Sequence, residues 1–182
     1  MNEPSIYCLR KPKTVWGDYD DILLAGIATR LAKSNGLLQL ERTGPFIPPI
    51  SFPGIDEIIV TDKFKTLLEA SQLTGLSFQQ VIKKRIVFLE WERWDKHADE
   101  PTEYPESGEP EDYILGKPHM PELAEGIGDL WELRLITYEA IPKAQIDFFR
   151  LAHNRWNYVS IKARDWLGQR VADFVQFQPI YI

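Results

Sequence analysis

The chain has 182 residues, 44% hydrophobic and 26% charged, enough for a single domain spanning residues 1–182 with a core of its own. Its net charge of −6 argues against nucleic acid as a partner, because phosphate binding needs clustered Lys and Arg. No apolar run approaches the roughly 20 residues that span a bilayer, the N-terminal stretch has no signal-peptide pattern, and Cys8, the one cysteine, has no partner for an internal disulfide. A cytoplasmic protein without membrane contact is expected.

Cys8, in the run IYCLR, reads as a buried strand position. Residues 18–36 read as an N-terminal amphipathic helix. Asp18 is placed to cap it, Asp20 and Asp21 sit in the first turn, Arg30 and Lys33 near the end, and Gly36 offers a stop. Leu23, Leu24, Ile27, Ala28 and Leu31 recur at helical spacing and predict the core face. A short strand, Leu37 to Glu41, then leads into a proline-rich connector whose apolar residues Phe46, Ile47, Ile50 and Phe52 clamp it to the core.

Residues 57–82 predict a strand, a helix, a turn and a second strand. Ile58, Ile59 and Val60 are β-branched, Thr61 or Asp62 caps a helix running to Leu73 with Phe64, Leu67 and Leu68 inward, and Thr74-Gly75 turns the chain into a strand over Leu76 to Ile82. Lys83 to Trp94 continues as a strand with one wet face. Residues 95–129 hold five prolines, four glycines and most of the local acids, and read as a long irregular loop. Leu130 to Tyr138 and Asp147 to Leu151 are further strands. Residues 157–181 repeat the first outline: a strand, a helix near Ile161 to Gln169 capped by Ser160, and a strand over Phe174 to Ile180.

The two outlines align without gaps at an offset of 99, which sets Val60 on Val159, Thr61 on Ser160, Leu68 on Leu167 and Phe78 on Phe177. One such unit cannot cover its own apolar face, so two stacked units predict an α+β fold with one mixed sheet and a shared core.

No constellation for catalysis, cofactor or metal stands out. His97, His119 and His153 have no partners at i+3 or i+4, His153 reads as a structural histidine among aromatics, and Gly126-Ile127-Gly128 reads as a turn. The charge, however, is uneven. Glu90 to Tyr113 carries ten acids and two bases, −8, which leaves +2 for the remainder. Trp91, Trp94, Tyr104 and Tyr113 stand in or beside that run with Glu100, Glu103, Glu106 and Glu109. Aromatics among carboxylates suit a surface for a basic protein partner; the alternative is that the tryptophans anchor the loop to its own core.

The phrase IIVTDKFKTLLEASQLTGLSFQQV, with the later DFFRL and VSIKARDWL, resembles immunity proteins of bacterial polymorphic toxin systems, in particular the immunity group numbered eleven and the double-CxxCG group. Val60-Thr61, Leu68 and Gly75-Leu76-Ser77-Phe78 carry the likeness, and Val159-Ser160 and Leu167 carry part of it. No CxxC is present, so no metal is implied. The resemblance implies a non-catalytic protein that binds and neutralises a cognate toxin. Two other classes stay open: a small enzyme using a carboxylate pair in the acidic segment, and a general protein-interaction module.

Overall fold

The computed structural model describes residues 5–30 and 36–181. It is an α+β fold. The strands are β1 (Ile6–Arg10), β2 (Ile27–Arg30), β3 (Leu38–Gly44), β4 (Ile50–Ser51), β5 (Ile59–Thr61), β6 (Leu76–Gln80), β7 (Ile82–Phe88), β8 (Leu130–Tyr138), β9 (Phe148–Leu151), β10 (Asn157–Ser160) and β11 (Gln176–Ile180). They form two mixed sheets where one was expected, because β7 pairs with β3 and not with the strands around β8. The larger has the order β11–β1–β10–β9–β8–β5–β4, with β6 also paired to β8; the smaller is β2–β3–β7. The helices are α1 (Asp18–Ala25), α2 (Asp62–Ala70), α3 (Asp112–Leu115), α4 (Pro121–Gly126) and α5 (Ile161–Val171).

β5 and β6 both lie antiparallel to β8, and α2 connects them across it. β10 and β11 flank β1 in the same way, with α5 between them. The registers correspond residue by residue. Trp131 of β8 sits between Val60 and Gln80, and Tyr7 of β1 sits between Val159 and Pro179. Each helix starts on a hydroxyl cap: Thr61 accepts from the Phe64 N–H, and Ser160 from the Ala163 N–H. Each also lays a cation on the aromatic of the middle strand, with Lys65 Nζ 4.7 Å from the Trp131 ring centre and the Arg164 guanidinium 4.4 Å from that of Tyr7. The main core lies beneath these two helices and includes Leu9, Val60, Phe64, Leu68, Leu133, Phe148, Val159, Leu167 and Val171.

Several elements differ from the sequence expectation. The N-terminal helix ends at Ala25, and Gly17, not Asp18, is the cap residue. Gly26 has φ +77, and a Cβ there would stand 2.5 Å from the Glu41 carbonyl oxygen, so the backbone must turn on glycine. Ile27 to Arg30 then pairs with β3. Leu31 and Lys33 of the expected helix lie outside the described residues. α2 stops at Ala70, because Gln72 takes a positive φ of 59°; Phe64 and Leu68 face the core, whereas Leu67 is exposed. The strand expected to reach Trp94 ends at Phe88 and gives way to a single 3-10 turn, Trp91–Arg93. The loop at 95–129 contains α3 and α4, and Tyr113, Ile114 and Ala124 within it are buried.

Candidate partner-binding surface

The acidic segment is pinned to the body by aromatic side chains. Trp91 is 2% exposed, edge-on to Phe46 at 5.4 Å, with Lys96 Nζ 5.0 Å above its ring. Trp16, just before α1, donates from its indole N–H to the Ala98 carbonyl at 2.9 Å. Tyr19, on α1, donates its hydroxyl to the Gly108 carbonyl, and Tyr113 donates its own to the Glu103 carbonyl. Trp94 fills the space between Trp16 and Tyr113, with ring centres 6.2 and 6.0 Å away. Pro101, in the same segment, is buried as well. Burial, together with Tyr19, Tyr104 and Glu103, pushes the Tyr113 phenol up to about 12. It therefore stays protonated at neutral pH and keeps its donor bond.

These positions correct part of the expected surface. Trp91 and Tyr113 belong to the chain's own core, and Trp94 is a strut between α1 and the segment, because their apolar area is covered by Phe46, Trp16 and Tyr19. None of the three offers an open face comparable to Tyr104, which is 47% exposed and held edge-on by Tyr19 at 5.1 Å. Glu100, Glu103, Glu106 and Glu109 are all exposed. Among the described residues none of these four carboxylates is in an ion pair; within Glu90 to Tyr113 the one such pair joins Glu90 to Arg93 at 3.0 Å. The outcome is a run of free negative charge on an irregular backbone fixed from beneath.

Trp16 and Tyr19, which the sequence reading did not single out, do much of that fixing. Their signal is a pair of aromatics at the head of α1, but the carbonyls they meet lie 82 and 89 residues away. Two buried carboxylates were missed for the same reason. Asp56 accepts from Arg150 at 3.0 Å and Arg155 at 2.6 Å, tying the chain before β5 to the β9–β10 hairpin. Asp147 accepts from the Thr74 N–H at 3.0 Å and the Ser160 hydroxyl at 2.7 Å. Burial pushes both upward, but hydrogen bonds and nearby cations outweigh it and hold both below the ordinary carboxylate range.

His119 accepts the Ile86 N–H at its Nδ1, 2.9 Å away, and finishes the free side of β7; His153 is exposed in the β9–β10 turn. Cys8 is buried, and burial raises its thiol pKa. Among the described residues no three His, Cys, Asp or Glu side chains gather as a metal site, and no helix is long and apolar enough to cross a membrane. No protein-family model, curated protein or solved structure matches the chain.

Proposed function

We propose that the chain is a binding protein that neutralises a basic protein partner, in the manner of the immunity proteins its sequence resembles, and that the acidic segment forms part of the contact. One observation carries this reading: Glu100, Glu103, Glu106 and Glu109 are exposed and unpaired on a segment held by Trp16, Tyr19, Trp91 and Tyr113. Charge that is held in place attracts a basic surface over a distance and loses little conformational entropy when it docks. Tyr104 is the aromatic available to be covered at the centre of the contact. The two strand–helix–strand units, which we read as copies of one unit, supply the scaffold; their common register, caps and cation–aromatic contacts support that reading.

The test is to purify the tagged chain from cells that encode it and identify what co-purifies. That protein is then expressed alone and together with the chain. The reading expects a basic protein, toxic alone and harmless with the chain. A partner that is acidic, or whose toxicity the chain leaves unchanged, contradicts it.

A further inference from the structure

A cavity of about 390 Å³ opens where the end of β1, the second half of α1, the loop after β4 and the turn before β10 meet. That volume lies at the lower end of what small-molecule sites occupy. Its polar lining is uneven. Lys11 is ion-paired with Asp21, and both line the cavity. The Asn157 amide is engaged on both sides: its oxygen accepts from Arg150 at 2.9 Å, and its nitrogen donates to the Asp56 carbonyl at 3.4 Å. Arg10 differs. Its guanidinium lies 4.2 Å from the centre of the Trp156 ring, and its Nη2 donates to the Gln178 side chain at 3.5 Å. Among the described residues it has no carboxylate partner. A guanidinium steadied over an aromatic ring and left without a counter-charge offers a planar fork of donors, which matches the two oxygens of a carboxylate.

The rest of the lining is mostly apolar. Leu9 and Ala25 are buried, Phe52 is half-buried, Trp156 is 37% exposed and Ile55 is 82% exposed. Ile55 is the most exposed large hydrophobic side chain among the described residues. Beside an open cavity, it has apolar area that a ligand can take out of water.

We propose that this cavity binds a small carboxylate with an apolar body, its carboxylate on the Arg10 guanidinium and its body against Phe52, Ile55 and Trp156. The sign of the ligand follows from the lining. Arg10, Lys11 and Asp21 together carry +1, so a cationic ligand is repelled. One free guanidinium answers both oxygens of a carboxylate, whereas a phosphate of higher charge finds no second unpaired cation among the lining residues. The apolar body follows from Ile55 and the two aromatics around it. This site depends neither on the acidic segment nor on a protein partner.

The test is an NMR titration of the full chain with phenylacetate, followed at the Trp156 indole N–H and the Arg10 Nε–H. Phenylacetamide and inorganic phosphate are titrated beside it at matched ionic strength. Phenylacetate is expected to shift both signals saturably, phenylacetamide to bind about tenfold more weakly, and phosphate not to displace phenylacetate at equal concentration. Arg10→Gln is expected to weaken phenylacetate about tenfold and to leave phenylacetamide unchanged, and Ile55→Ser, at an exposed position, to weaken both. If Arg10→Gln perturbs the fold, the ligand series on the parent decides. Signals left unmoved by phenylacetate, an amide that binds as tightly as the acid, or an Ile55→Ser variant that binds like the parent overturns the proposal. Displacement by phosphate overturns it as well, leaving a general anion site.

Discussion

Asp147 joins three stretches of chain: the turn after α2 through Thr74, the start of β9, and the cap of α5 through Ser160. Its pKa and that of Asp56 are lower in the folded chain than the ordinary value of about 3.8. A carboxyl depressed on folding adds stability above its unfolded pKa and loses it as pH falls through the folded one. The contribution of these two carboxyls is therefore expected to be level from neutral pH to about pH 5 and to drop below about pH 4, where the unfolded chain begins to take up protons first. Asp147→Ala orphans the Thr74 and Ser160 donors and is expected to cost about 2 kcal/mol at pH 7, with the gap to the parent narrowing toward pH 3. Urea unfolding of both proteins at several pH values measures this; a gap independent of pH contradicts it. Trp91 makes the complementary point about legibility. A tryptophan beside glutamates looks the same whether it binds a partner or its own core, and Phe46, which decides the matter, lies 45 positions earlier. Trp91→Ala is expected to cost about 3–5 kcal/mol of fold stability in the same assay.

At the scale of elements, what could be read was local. Thr61 and Ser160 cap from within four residues, so the start of α5 was legible at its residue and that of α2 to within one, and removing either hydroxyl as Ala should cost about 1 kcal/mol in chemical denaturation. The first helix was overextended because Ile27, Ala28 and Leu31 keep a helical period. The chain leaves that period at Gly26, where it crosses against β3, and Leu38 to Glu41 offer Ile27 to Arg30 a ladder that periodicity does not reveal. Gly26→Ala should consequently cost about 2 kcal/mol or more, since its Cβ would press on the Glu41 backbone at a positive φ. A melting temperature equal to the parent's would show that the turn tolerates a side chain. The acidic segment was the harder case. Its composition reads as disorder, and its aromatics work against that by docking onto α1 and Phe46.

Over the whole molecule, two regions of opposite character divide the work. The sheet with α2 and α5 holds the main core, and the chain outside Glu90 to Tyr113 carries +2, whereas Glu90 to Tyr113 carries −8. Loosening the segment without changing its charge separates position from sign. Trp16→Ala removes the bond to Ala98, so limited proteolysis should cut between 98 and 112 well before it does in the parent, while the sheet stays intact. The central claim, that fixed carboxylates draw in a basic partner, is tested most directly by association kinetics with the co-purified protein as salt is varied. The variant replaces Glu100, Glu103, Glu106 and Glu109 with Gln. Its association is expected to be about tenfold slower than the parent's at low salt, with a flatter dependence on ionic strength and little change in dissociation. Equal association rates and equal salt slopes for the two proteins would contradict it.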